Sequence, residues 1–580
     1  MLRSVSGKGN NQMKSMNITI NGRQTTAHEG EMIIDMAKRI GIHIPHLCLD
    51  DRLERIGACR LCVVELAGSP KPVASCTTPV REGMVINTHS PRILEARRIN
   101  MELLLASHDL NCVTCDANRK CKLQRYAEEL MVRDLRFEGD RIIRPVDNSS
   151  VSIKRDNNKC VLCERCIRVC NDIQTVHAIG LAGRGFNTRI EPPFGQNMKE
   201  SACVNCGQCV ISCPTAALCE HSDIQNVINA LNSGKYLIAQ TAPSIRATLG
   251  ECFEMQPGKA VTGKMVTALK QIGFRQVFDT DLGADITIIE EATEFIKRMK
   301  EKRSLPMITT CCPAWIKFGE QFFFDELHHM SSCRSPQAII ASLVRTYFAK
   351  KIRVKPEDII LVDIMPCTAK KFEIQRPEFM GEADFVLTTV ELSKLLKQLD
   401  VDFIHLPDTE FDTPLGESTG AGVIFGRTGG VMEAALRTVA DWSGIKDFTK
   451  LDFKPIHGMR TMKTADIDLK GTKVKVCVVH TLGEARKLME EIRAGKSPYH
   501  FIEIMACYGG CVGGGGQPRG SSSVLEKRAH ALNEADSHKK IRLSHKNPSA
   551  LKIYKEYLGD FGGEKAHRLL HTKYSRREVL

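Results

Sequence analysis

The sequence predicts a multi-domain α+β chain in which small cysteine-rich domains precede a larger α/β body. Three observations predict it. At roughly 100–200 residues per domain, 580 residues correspond to about three to six domains. Most of the 24 cysteines lie before residue 220, largely in C-x2-C units, and those beyond stand apart. After Cys219, apolar runs such as Tyr236 to Ala239, Ile359 to Ile364 and Val474 to Val479 have the length of buried strands and alternate with amphipathic stretches.

Composition narrows the class. With 42% hydrophobic residues the chain is too apolar for disorder, and no charge-free apolar run approaches the ~18 residues of a membrane span. The formal charge of +13 comes with two Trp, 6% aromatics and no long basic run. This suits an acidic protein partner or solubility; neither nucleic acid nor membrane is an expected partner. The absence of a signal-peptide core and the length argue against a secreted disulfide framework, so the cysteines read as metal ligands.

Residues 1–15 form a basic leader, with Arg3, Lys8 and Lys14 and no acid before Glu29. It fits a disordered tail and an acid-poor organellar presequence equally. Residues 16–94 open with alternating Ile18 and Ile20, an Asn21-Gly22 hairpin turn and helical spacing from Glu31 to Ile40. Cys48, Cys59, Cys62 and Cys76 follow, four thiolates suited to a 2Fe-2S cluster, with a zinc site as the alternative. The strand–hairpin–helix lead-in resembles a β-grasp ferredoxin, although the spacing departs from the plant-type run.

Residues 95–145 carry His108, Cys112, Cys115 and Cys121. In a helix, His108 and Cys112 would lie one turn apart and face one metal. Neutral imidazole in place of one thiolate leaves a cluster less negative and raises its potential. Residues 146–222 carry two C-x2-C-x2-C-x3-C runs: Cys160, Cys163, Cys166 and Cys170, then Cys203, Cys206, Cys209 and Cys213 with Pro214 behind it. This is the two-cluster ferredoxin pattern, in which the fourth cysteine of each run serves the other cluster. The expected sets are Cys160, Cys163, Cys166 with Cys213, and Cys203, Cys206, Cys209 with Cys170. Four centres in series make a wire for electrons.

In residues 223–580, cysteines occur in three Pro- or Gly-marked turns: Thr309-Thr310-Cys311-Cys312-Pro313, Met365-Pro366-Cys367-Thr368-Ala369-Lys370, and Met505-Ala506-Cys507-Tyr508-Gly509-Gly510-Cys511 ahead of Gly513 to Gly516. Isolated cysteines are usually buried small hydrophobes, but here turn amides can point at sulfur and glycines let the backbone approach a bulky ligand. A phosphate-binding loop is excluded because no Gly-Lys-Ser/Thr follows.

These motifs, in this order behind this cysteine array, resemble iron-only (FeFe) hydrogenases of the large, multi-cluster type over about residues 16 to 574. The resemblance implies one 2Fe-2S cluster, three accessory 4Fe-4S clusters and an H-cluster, a 4Fe-4S cube joined through a thiolate to a diiron unit with CO, CN⁻ and azadithiolate. It implies a two-lobed α/β catalytic domain with the H-cluster between the lobes. Cys312, Cys367, Cys507 and Cys511 would hold the cube, with Cys511 as the bridge. Cys311 would pass protons, continued by Glu291, Glu294 and Ser331; Glu291 and Glu294 would share a helix face. Lys370 would bond a cyanide, and Pro243, Ser244, Gln337, Met365 and Met505 would line the pocket. Ala314 and Tyr508 depart from common residues, which implies tuning. Cys219, Cys252, Cys333 and Cys477 are left without a role.

Reversible proton reduction is energetically reasonable for such a wire. The proton couple at pH 7 lies near −410 mV, taking ~59 mV per pH unit, and plant-type 2Fe-2S centres lie near ~−400 mV. The chain has no nucleotide fingerprint, so electrons would come from ferredoxin or from flavin-bearing NAD(P)H-oxidising subunits. The region from His571 to Tyr574 is similar to members of the NAD(P)-linked subgroup. H-cluster maturation proteins are further expected partners. The leader makes a hydrogenosome-type organelle matrix the expected location, with the cytoplasm as alternative. The competing functions are an electron-transfer subunit of an NADH dehydrogenase-like complex, which would lack the Thr-Thr-Cys-Cys-Pro motif, and a non-catalytic iron–sulfur assembly protein, which would not keep Cys311, Lys370 and the Glu291/Glu294/Ser331 set together.

Overall fold

The fold is that of a computed structural model, which describes residues 15–137 and 141–579. The basic leader lies outside the described residues except for Ser15, which already belongs to the first strand.

Strands β1 (Ser15–Ile20) and β2 (Arg23–His28) form a hairpin whose turn residues, Asn21 and Gly22, both have positive φ. That twist suits a two-residue hairpin loop and explains the Asn-Gly pair. Strands β3 (Val63–Leu66), β4 (Val73–Ala74) and β5 (Val85–Asn87) complete a five-stranded sheet in the order β2-β1-β5-β3-β4, with β1 and β5 parallel. The helix Ile33–Arg39 lays Ile33, Ile34, Met36 and Ala37 on Ile18, Ile20, Val64 and Ile86. The cysteine loops emerge from this sheet.

The helix Pro91–Ala106 begins at Ser90, whose hydroxyl accepts from Ile93 N, with Pro91 in the first turn where no amide is needed. It ends before His108, so the stretch from His108 to Cys112 is not helical, contrary to the helical geometry considered above. Strands β6 (Ile153–Arg155), β7 (Gly180–Ala182), β8 (Arg189–Glu191) and β9 (Leu218–Glu220) pair as β6-β9 and β7-β8, both antiparallel, and frame the two cysteine runs.

The remainder contains two four-stranded sheets. One is built from β10 (Tyr236–Thr241), β11 (Gln276–Asp279), β13 (Ile359–Met365) and β14 (Phe385–Thr388), all parallel, in the order β11-β10-β13-β14. The other contains β12 (Met307–Ile308), β15 (Met462–Leu469), β16 (Thr472–His480) and β17 (Phe501–Met505), in the order β12-β17-β16-β15. The edge strand β15 alternates exposed and buried residues, whereas β17 is wholly buried. That contrast is expected of a half-solvated antiparallel edge against a covered parallel centre. The helix Thr280–Glu301 runs through the body, capped by the Asp279 carboxylate at Asp281 N. Its Gly283 meets the helix Pro336–Leu343 so closely that a Cβ there would lie 2.4 Å from Pro336 O. Among the described residues no helix is long and apolar enough to cross a membrane.

Candidate functional site: a thiol-lined cavity and its approaches

Parallel strands deliver the residues that follow them to one edge, and here both sheets do so at the same place. Beyond β12 come Cys311 and Cys312, beyond β13 comes Cys367, and beyond β17 come Cys507 and Cys511; beyond β10 come Pro243 and Ser244. All line one cavity, together with Gln337, Met365, Lys370 and Met505. Every pocket residue expected from the sequence lies on this wall. Cys312 sits at the start of the helix Pro313–Phe322, and Ala506 N donates to its Sγ at 3.5 Å. The glycine run holds the backbone close: Gly510 has φ +86° and ψ −153°, and a Cβ on Gly515 would lie 2.5 Å from Cys206 O. The loop therefore seats the cavity directly against the second cysteine run.

The donor set fits a metal cluster. The cysteines are free thiols. Burial pushes Cys367 up to about 12 and raises Cys312, Cys507 and Cys511 as well, so bare thiolates are disfavoured there and cationic iron would offset that cost. Gln337 Oε1 is buried in the wall without a hydrogen-bond donor. Lys370 Nζ donates to Glu373 Oε2 at 2.6 Å and Ser335 Oγ at 2.8 Å, which hold the cation at the wall.

Fifteen of the other cysteines gather into four further groups, and Cys219, Cys252, Cys333 and Cys477 belong to none. Cys48 and Cys59 sulfurs are 3.5 Å apart, and Cys62 and Cys76 sulfurs 3.3 Å apart. Cys48 also approaches Cys76, so the four thiols form one group able to hold a small metal centre. His108 is buried, its Nδ1 has no partner, and burial lowers its pKa to about 4, leaving a neutral imidazole for ligation. Turns bring Cys112 and Cys115 together, and their proximity to Cys121 contributes to raising that thiol after burial. One small cavity is lined by Cys160, Cys163, Cys166 and Cys213, and another by Cys170, Cys203, Cys206 and Cys209. The fourth cysteine of each run does cross to the other set.

The first three cysteine groups pack close to one another. Cys48, Cys59 and Cys163 share one apolar cluster, and Arg168 Nη2 bridges Cys48 O and Cys163 O. Cys121 packs on the same cluster, and Lys122 N donates to Pro214 O. The first two groups thus both abut the Cys160 set, and the Cys170 set abuts the cavity.

The family described as iron only hydrogenase large subunit, C-terminal domain, matches residues 235–515, and that described as iron hydrogenase small subunit matches residues 522–577. A 2Fe-2S iron-sulfur cluster binding domain matches residues 13–91, the NADH-ubiquinone oxidoreductase-G iron-sulfur binding region residues 97–136, and a 4Fe-4S dicluster domain residues 153–217. The NADP-reducing hydrogenase subunit HndD of Solidesulfovibrio fructosivorans is 43% identical, over 98% of this chain and 100% of its own. Iron hydrogenase 1 of Clostridium pasteurianum is 38% identical, over 96% and 100%. The chain belongs to the iron-only hydrogenase family. A solved FeFe-hydrogenase HydA1 from Chlamydomonas reinhardtii, 36% identical, covers 62% of this chain and 100% of its own with a TM-score of 0.56. This hydrogenase is an oxidoreductase that interconverts protons, electrons and H2, with electrons passing along iron–sulfur clusters. The sequence-based rivals, an electron-transfer subunit and an assembly protein, are not favoured.

From Cys311 a line of polar groups leads outward through the hydrogenase. Glu291 is fully buried; no donor reaches its carboxyl oxygens with full hydrogen-bond geometry, but the Ser331 hydroxyl and the Thr310 amide approach them. Burial, then the charge of Glu294, pushes its pKa up to about 8. Glu291 therefore does not lie on a solvated helix face. Ser331 Oγ and Ser332 Oγ both donate to Glu294 Oε2, and Arg298 Nη2 donates to Glu294 Oε1 at 2.6 Å. Sequence reasoning missed Ser335 and Glu373, although Glu373 at i+3 from Lys370 in the short helix Ala369–Glu373 was a local signal. It also missed Arg298, at i+4 from Glu294, and His571, whose Nδ1 meets Ser332 Oγ at 2.8 Å and Nε2 meets Glu290 Oε2 at 2.9 Å. The pairing of His571 with Glu290 crosses most of the catalytic sequence, so no spacing reveals it.

Proposed function

We propose that the thiol-lined cavity holds an H-cluster, a 4Fe-4S cube on Cys312, Cys367, Cys507 and Cys511 with Cys511 bridging to a diiron unit bearing CO, CN⁻ and azadithiolate, between two catalytic lobes. The observation that carries this is the convergence of four free thiols, two of them buried, a fifth thiol and a held lysine on one wall. When bound, the group supplies redox-active iron at which protons and electrons combine to H2. The chain's own residues supply the rest. Cys311 exchanges a proton at Sγ with the buried Glu291 carboxyl, Ser331 Oγ relays it, and Glu294 exchanges it toward solvent beside Arg298. Pro243, Ser244, Gln337, Met365 and Met505 exclude water, and the Lys370 ammonium offers a charged donor to an anionic diatomic ligand. Electrons use one 2Fe-2S centre on Cys48, Cys59, Cys62 and Cys76 and three 4Fe-4S centres, one on His108, Cys112, Cys115 and Cys121 and two on the crossed sets.

The electron donor in this reading is reduced ferredoxin or a set of flavin-bearing NAD(P)H-oxidising subunits. The relative named as a subunit of an NADP-reducing hydrogenase supports partner subunits. Maturation proteins assemble the site. The acid-poor leader supports a hydrogenosome-type matrix, with the cytoplasm as alternative. The test is expression with maturation factors, followed by infrared detection of CO and CN⁻ bands and H2 evolution with reduced viologen or ferredoxin. Absence of the bands in anaerobically matured protein would remove the H-cluster. Activity only after adding flavin subunits and NADH would remove direct ferredoxin coupling.

A further inference from the structure

The outer end of the Glu294 line carries a second group of ligand-type side chains, outside the cavity. On the 3-10 turn Phe324–His329, Glu326, His328 and His329 each bring one ligand atom within 4.8 Å of the other two. Glu326 Oε2 and His329 Nε2 are 3.4 Å apart. Two ligands of a tetrahedral zinc with bonds of ~2.0–2.1 Å lie about 3.3–3.5 Å apart. His329 Nδ1 is 2.9 Å from Pro306 O. A carbonyl only accepts, so Nδ1 carries the proton and Nε2 presents its lone pair toward Glu326, the outer-sphere arrangement typical of ligating histidines. His328 is exposed and gives a metal ion entry from solvent. Three protein ligands leave the fourth position open to water.

We propose that Glu326, His328 and His329 bind a divalent transition metal ion of the zinc class, and that its binding slows proton exchange through Glu294. The link is Arg298. Its Nη1 donates to His328 O at 3.3 Å and His329 O at 3.1 Å, while Nη2 donates to Glu294 Oε1 and to Met330 O. One guanidinium therefore joins the backbone of the ligand turn to the last carboxylate of the line. A metal that rigidifies the turn holds Arg298 on Glu294, and its double charge disfavours arrival of a proton nearby. The slowing rests on the proton line proposed above; the metal site does not.

The test uses matured holoenzyme, fully iron-loaded, dialysed against zinc chloride beside H328N and E326Q variants. Wild type should retain about one zinc per chain, with X-ray absorption showing imidazole and oxygen ligands. Either variant should weaken retention by about 10-fold or more. Viologen-driven H2 evolution should fall several-fold with zinc in wild type and much less in the variants, while viologen still reduces the accessory clusters at its normal rate. Equal zinc retention by H328N, or none by wild type, overturns the site. Zinc bound through imidazole without loss of turnover overturns the coupling. An E294Q enzyme with full turnover would instead remove the proton line and leave the metal site standing.

Discussion

Ser331 Oγ donates to Glu294 Oε2 at 3.0 Å, and the same hydroxyl adjoins the buried Glu291 carboxyl. A hydroxyl both donates and accepts, so by rotating it can serve either glutamate in turn. Ser331→Ala leaves the two carboxyls without that relay. H2 evolution should fall by about 10²-fold, the lower range for loss of an acid–base group, with infrared bands unchanged. Full turnover in Ser331→Ala would show that protons reach Glu291 another way.

Cys311 lies on the cavity wall beside the ligands but is not needed to hold them. Cys311→Ala should retain the CO and CN⁻ bands and lose turnover by about 10²–10⁴-fold. Loss of the bands together with the activity would make Cys311 an assembly residue instead.

Glu291 gives a pH signature. Its pKa is pushed from 4.5 up to about 8, chiefly by burial. Between those values the folded chain binds more protons than the unfolded chain, so this group's contribution to stability is lost as pH rises across that window and is constant above it. Glu291→Gln should abolish that component in thermal unfolding midpoints measured from pH 5 to about 9. It should also stop turnover, while wild-type H2 evolution declines as pH passes about 8. A stability profile unchanged by Glu291→Gln would mean the carboxyl is hydrated.

The crossed cysteine sets predict a misplaced lesion. Cys170→Ser should remove the centre on Cys203, Cys206 and Cys209 and spare that on Cys160, Cys163 and Cys166. Iron content should drop by about four per chain and the spectrum of the centre adjoining the cavity should vanish from electron paramagnetic resonance. Loss of the outer centre would reverse the assignment.

Arg376 donates to Glu320 at 3.0 and 2.7 Å, and both side chains are almost fully buried. Arg577, from the C-terminal segment, adds a third bond to Glu320 at 2.6 Å. Removing one partner of a buried pair costs about 3–5 kcal/mol, because a desolvated charge is left behind. Arg376→Met should lower the thermal midpoint and expose the C-terminal segment to protease, with the remaining Arg577 contact softening the effect. An unchanged midpoint would show that Arg577 alone compensates Glu320.

Much of the site was legible because it is written in local code. The hairpin at Asn21-Gly22, the strands at Ile359–Met365 and Thr472–His480 and every clustered cysteine follow from short-range spacing and turn chemistry. The condition that His108 and Cys112 share a helix is not met, because the helix ends at Ala106. Glu373 was within reach of a local argument, being one turn from Lys370; His571 was not, since its partners lie far upstream.

By itself the amino-acid order determined which residues are able to ligate metal, and in what local groups, because thiol chemistry and turn geometry act over a few positions. Only the tertiary structure decided which distant thiols share a wall, that the first two cysteine groups pack beside Cys163, and that Glu291 is buried, which raises its pKa. These depend on desolvation and on strand ends meeting across hundreds of residues, and such distances have no period in a sequence.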